Sequence, residues 1–144
     1  QVDLYHCGLF AVIAKKVDEG LTYLDGARGA AEKAGDAALL VDVLYNIGQI
    51  KASQNDPDGA KSALEQALGA ARTRKDPTRE IRILESLGVL LSGAGDHAGA
   101  AARFGEAADR ALGPKAKELR KSLKARVAKE RKLAEEEEGP AAGA

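Results

Sequence analysis

Few residues in this chain could do covalent chemistry, and their spacing does not assemble them. His6 and Cys7, the one cysteine, are adjacent. Adjacent side chains on a helix diverge by about 100° and do not converge on a metal ion. Cys7 also aligns with Ile47 and Leu87 in the repeat described below, which predicts a core position. His97, the second histidine, opens a later helix. No GxxxxGK[ST], GxSxG, HExxH or paired-cysteine motif occurs. Gly26-Ala27-Arg28-Gly29 lies in helical context and is no phosphate loop. Most carboxylates stand at helix caps or exposed helix positions. The expectation is a chain without catalytic centre, metal or cofactor, and not an enzyme.

What remains is the chemistry of binding. Net charge is zero but unevenly spread: −3 over residues 1–114, +7 over 115–132 and −4 over 133–144. Lys115–Lys132 has three readings. One is an electrostatic site for RNA, an acidic protein or anionic lipid. A second is a capping helix that turns Leu119, Leu123 and Val127 inward and shows its charge to water. A third is a helical stalk that pairs with another chain. The segment has no aromatic residue for base stacking and no bulky residue for membrane insertion. That favours the cap and argues against nucleic acid as a partner.

The elements that position these residues are marked by repetition. Gly8, Gly48 and Gly88 are evenly spaced and define one repeat length. Leu4, Leu44 and Leu84 keep the same register, as do Leu24, Leu64 and Phe104, and Ala27, Ala67 and Ala107. Asp36, Asp56, Asp76 and Asp96 recur at half that interval as helix N-caps, followed twice by a helix-starting proline, Pro57 and Pro77. A cap at every half-repeat means two helices per repeat. With 44% hydrophobic residues, mostly Ala and Leu, and only 3% aromatics, the composition suits closely packed helices. The spacing predicts helices over about 3–14, 19–33, 37–53, 57–73, 77–92, 96–112 and 114–136. The turn at Lys15–Asp18 lacks the cap signal found later. Glu135–Glu138 and the Gly-Pro-Ala end read as a frayed tail.

These residues resemble the tetratricopeptide repeat (TPR) family. Repeat two reads Leu44-Tyr45-Asn46-Ile47-Gly48, then Ala60, Leu64 and Ala67; repeat three reads Leu84-Glu85-Ser86-Leu87-Gly88-Val89, then Ala100, Phe104 and Ala107. The likeness covers about residues 2–112. The 40-residue period exceeds the standard length of about 34 and is similar to the long-repeat subclass found in spindle-orienting scaffolds and in bacterial regulators of the maltose-activator type. The usual aromatic late in the first helix is replaced by Ala11, Lys51 and Leu91, which implies thinner core packing. The resemblance implies a right-handed α-solenoid of three helix-turn-helix repeats plus a C-terminal helix, all-α throughout. It implies repeats at about 1–35, 36–75 and 76–113; beyond them the residues themselves predict a basic capping or extending helix at 114–136 and a flexible acidic, Gly-Pro-Ala tail at 137–144.

It also implies a concave groove lined by the first helix of each repeat. The groove positions are Val2, Tyr5, His6 and Leu9; Asp42, Tyr45, Asn46 and Gln49; and Arg82, Glu85, Ser86 and Val89. Asn46 and Gln49 can pair with an extended backbone, Arg82 can clamp a carboxylate, and Tyr5 and Tyr45 offer flat apolar area. The clamp by which some family members hold acidic chaperone C-termini keeps Asn46 and, in place of a lysine, Arg82. Tyr5, Leu9 and Ser86 supply no charge at its other positions, so repeat one has lost it. The expected function is a non-catalytic scaffold or adaptor binding a protein or peptide. Alternatives are a regulatory or nucleic-acid-associated protein using helix 115–132, and self-assembly through exposed repeat ends. No apolar run approaches the roughly 20 residues of a membrane span. No signal peptide is visible, and a lone cysteine fits a reducing compartment, so the expected location is cytoplasmic. Gln at position 1 and the absence of Met lead us to expect a piece of a longer protein.

Overall fold

A computed structural model describes residues 2–13 and 15–139, and the statements below concern those residues. They form helices α1 (Val2–Ile13), α2 (Val17–Ala34), α3 (Ala37–Ser53), α4 (Pro57–Thr73), α5 (Pro77–Gly93), α6 (His97–Arg110) and α7 (Lys117–Glu137), with a 3-10 turn at Pro114–Ala116. No strand occurs among the described residues. The chain divides into two compact units, Gln1–Asp76 and Pro77–Ala144. In the first, α1 packs on α2, α2 on α3 and α3 on α4; in the second, α5 packs on α6 and α6 on α7.

The helix starts follow the aspartates. Asp36, Asp56 and Asp96 accept hydrogen bonds from the amides of Leu39, Gly59 and Gly99 at 3.0, 2.9 and 2.8 Å. Each satisfies an otherwise unpaired first-turn donor. Helix α2, whose N-cap is Lys16, has no side-chain cap. Within each unit the turns reverse the chain through one left-handed residue, Lys15, Gly35, Asn55 or Gly95; Lys75, at the junction of the units, is also left-handed, and all five have φ between 55° and 83°. Gly35, Asn55 and Gly95 directly precede the capping aspartates Asp36, Asp56 and Asp96, so reversals and caps coincide there.

The glycines of the repeat register set the spacing within each helix pair. A Cβ built on Gly8 would lie 2.7 Å from Leu24 Cγ, and one on Gly48 would lie 2.7 Å from Leu64 Cγ. One on Gly88 would lie 2.6 Å from the Phe104 ring. In every pair the first helix removes its side chain where the second presents a bulky one. Leu24, Leu64 and Phe104 are buried there, with Ala27, Ala67 and Ala107 fully enclosed one turn on. Between pairs the first unit is sealed by Val43, Ile47 and Ile50 of α3 against Leu24 and Ala27 of α2.

Three expectations need correction. Cys7 is exposed, not in the core. Its counterpart Ile47 is buried because α2 covers that side of α3; among the described residues no helix precedes α1 to cover Cys7. Phe10 and Ile13 are 75% and 78% exposed. The sixth helix stops at Arg110 rather than 112, because Gly113 (φ 89°) and Pro114 turn the chain. The last helix begins at Lys117 and includes Glu137, a residue expected in the tail; residues 140–144 of that tail lie outside the described residues.

The late start exposes a relation absent from the sequence reading. Lys117 stands one repeat length after Pro77 and two after Ala37, so α7 opens in the register of α5 and α3. Leu123 takes the place of Val43 and Ile83, Val127 that of Ile47 and Leu87, and Glu130 that of Ile50 and Leu90. Lys124 and Ala128 fall where Leu44 and Gly48 meet the second helix of their own pair. Helix α7 thus keeps the side that covers a preceding pair and has lost the side that faces a partner of its own.

Two glycine substitutions separate propensity from packing. Gly69 is exposed on α4 with nothing near its Cβ position. Gly69→Ala should stabilise the fold by roughly 0.5–1 kcal/mol through helix propensity. Gly48→Ala gains the same propensity but should be net destabilising, by about 1–3 kcal/mol, through overpacking against Leu64. Urea unfolding of both variants checks the opposite signs.

Candidate binding surface

In the first unit the residues expected to bind lie on α1 and α3, and two of them meet. Asn46 donates from Nδ2 to the Tyr5 hydroxyl at 2.9 Å and to the Asp42 carbonyl, one turn earlier, at 2.7 Å. Its Oδ1 makes no hydrogen bond among the described residues. Tyr5, Asp42, Tyr45 and Asn46 are half-buried, Gln49 is exposed, and Leu9 is half-buried on α1. His6 is exposed, its ring 5.6 Å from that of Tyr5 and inclined at 56°. Val2 belongs to α1, and its side chain lies outside the described residues.

In the second unit Arg82, Glu85, Ser86 and Val89 fall at the i, i+3, i+4 and i+7 positions of α5, which places them on one face. Arg82 is exposed, Ser86 half-buried, and Val89 is 58% exposed. Glu85 is engaged within its own unit, 3.8 Å from the Arg126 guanidinium of α7. The same guanidinium lies 5.3 Å from the centre of the Phe104 ring, a cation–π distance. A basic residue of the C-terminal helix therefore spans α5 and α6.

Further polar contacts fix α7, and sequence reasoning missed them. Arg120 donates from Nε to the Ala111 carbonyl at 2.7 Å and from Nη2 to that of Gly113 at 3.4 Å. It satisfies carbonyls at the end of α6, where a cation is favoured. Arg120 thereby takes the inward place in the first turn of α7, and Leu119, expected to face inward, is 38% exposed. Leu123 is fully enclosed as expected, and Val127 is half-buried. Two turns past Leu123, buried Glu130 accepts from the Ser92 hydroxyl at 2.8 Å and pairs with His97 Nδ1 at 2.6 Å. His97 Nε2 lies 3.3 Å from Glu137. A second buried carboxylate, Glu80, pairs with Arg110 at 3.2 Å between α5 and α6.

The electrostatics of the Glu130 cluster follow from these contacts. The hydrogen bond to Glu130 holds the His97 pKa above its ordinary 6.5, against the cost of burial and with help from Glu137 and Asp96. Burial pushes Glu130 up, but the bonds from His97 and Ser92 outweigh it and leave the carboxyl below its ordinary 4.5. The signal available in the sequence was a glutamate at a position that is Ile50 and Leu90 in the preceding register.

Removing the hydroxyl that joins α1 to α3 tests the first cluster. Tyr5→Phe should lower the unfolding free energy by about 0.5–1.5 kcal/mol, the usual net value of one such bond, in a denaturant titration. No protein-family model and no curated protein matches this chain.

Proposed function

We propose that the chain is a non-catalytic protein-interaction module of the TPR-like kind, a scaffold or adaptor holding a linear peptide or a partner helix. The reading carries with it a right-handed solenoid of three repeats. The observation that supports it most is the Tyr5–Asn46 contact. It fixes Asn46 so that the amide carbonyl remains available to accept from a peptide N–H. Asp42, Tyr45 and Gln49 lie within one turn of Asn46 on the same helix. An oriented amide beside an aromatic ring suits an extended backbone, with the side chains around it supplying selectivity. Arg82, Ser86 and Val89 would serve the same role on α5. Glu85, tied to Arg126, would contribute less.

The basic C-terminal helix is read as a cap. Lys117, Lys121 and Lys124 are exposed and make no ion pair among the described residues. Lys124 replaces the leucine that in α3 and α5 faces a partner helix, so its charge marks where the pairing ends. No helix of the described residues is long and apolar enough to cross a membrane. We place the protein in the cytoplasm, because the exposed free thiol of Cys7 suits a reducing compartment.

A peptide-display library panned against the whole chain tests the function. Enriched peptides should bind the native chain and lose at least about fivefold in affinity on Asn46→Ala, the loss expected of a central contact. Circular dichroism should stay unchanged. Peptides indifferent to both Asn46→Ala and Tyr45→Ala would remove the groove, and a library yielding none would remove the module.

A further inference from the structure

The geometry points to an ionisation latch: the Ser92–Glu130–His97–Glu137 cluster holds α7 on α5 and α6 while His97 carries its proton, and frees the C-terminal end of α7 when the proton leaves. At the other inward positions α7 is held by apolar contact, as α3 is held on α2. Leu123 is enclosed, and a methyl built on Gly105 of α6 would lie 4.0 Å from Val127. At the third inward position the register requires an apolar residue, Ile50 or Leu90, and α7 supplies a carboxylate that is only 6% exposed. Its attachment there depends on charge and hydrogen bonds, and a buried carboxylate is tolerated only while it is compensated.

His97 supplies that compensation across two turns of α7. As an imidazolium it donates from both nitrogens, to Glu130 at 2.6 Å and to Glu137 at 3.3 Å. As a neutral ring it has one N–H, and one carboxylate must lose its donor. The facing groups are few. From α5 comes the Ser92 hydroxyl. The N-cap of α6 contributes Asp96, which also favours the imidazolium. Besides its two carboxylates α7 contributes Lys129, a cation acting on Glu130. His97 has a raised pKa, so its contribution is complete below 6.5 and is lost as pH rises through the raised value. Glu130 has a lowered pKa, so its contribution is complete above 4.5 and is lost as pH falls through the lowered value. The latch is tightest between 4.5 and 6.5 and opens on the alkaline side, as pH rises through the raised His97 value. Opening would loosen α7 over the small residues of α6 near its start, Ala98, Ala101 and Ala102, which lie beside Arg131 and Ala134.

Amide hydrogen exchange on the full chain, corrected for the intrinsic rate at each pH, reads the latch directly. Protection at the end of α7, residues 130–137, should fall as pH rises above 6.5, by about tenfold for each unit that the His97 pKa is raised. Protection of α3 should stay constant in the same experiment. His97→Gln should abolish the step and leave the end of α7 weakly protected throughout, whereas His6→Gln should leave the step in place. Glu137→Gln keeps the Glu130–His97 bond and should move the step to lower pH; it also decides the matter if His97→Gln loses α3 protection and fails to fold. A flat profile in the native chain, a step surviving His97→Gln in a folded protein, or a step unmoved by Glu137→Gln would overturn the latch.

Discussion

Everything in this fold depends on how closely two helices can approach. Gly8, Gly48 and Gly88 remove the side chain at one point of each first helix, and Leu24, Leu64 and Phe104 fill the space from the second. A bulky group facing a glycine lets the backbones come near enough for Ala27, Ala67 and Ala107 to be fully enclosed. This explains how a chain with 3% aromatics, no Trp and no Met builds a core. Small residues suffice when helices are close, and the caps and left-handed turns exist to bring the next helix back at that separation.

Helices α1 and α7 carry different chemistry on the sides of the register that no described helix covers. On α1 the side that α3 buries against α2 carries Cys7 and Phe10, and both are exposed. On α7 the side that would face a further helix is converted to Lys124 and Ala128, and the charge is solvated. The α7 side is polar or small, and the α1 side keeps an exposed aromatic ring and a thiol. The inward side of α7 is held partly by ionised groups: Arg120 on the carbonyls ending α6, Arg126 over Phe104 and Glu130 beneath His97. Polar fixation of this kind carries directional specificity, and it makes the hold conditional on protonation.

Most of the helix pattern was legible because it rests on local chemistry. An aspartate before an apolar run, a proline at the first helical position and a glycine once per repeat each report a constraint acting within one turn or one pair. Helices α3 and α4 accordingly have the expected boundaries. What the sequence did not reveal depended on the surroundings of a residue. Cys7 and Ile47 share a register position and differ in burial because only one has a helix over it. Glu130 reads as one more charge in a charged segment until Ser92 and His97, far earlier in the chain, are known to meet it. The start of α7 was read from the Gly113-Pro114 break, which hid its place in the repeat register. Of the binding surface, the choice of helix faces follows from periodicity. The Tyr5–Asn46 contact could not, since it joins residues of two different repeats through a hydroxyl.

The central claim is that one contact, glycine against a bulky residue, closes every helix pair. Nuclear Overhauser effects measure it without altering the protein. Strong cross-peaks are expected from the α-protons of Gly8 to the methyls of Leu24, of Gly48 to those of Leu64, and of Gly88 to the ring protons of Phe104. Absence of these cross-peaks in the folded chain, with the three bulky side chains instead contacting other residues, would contradict it.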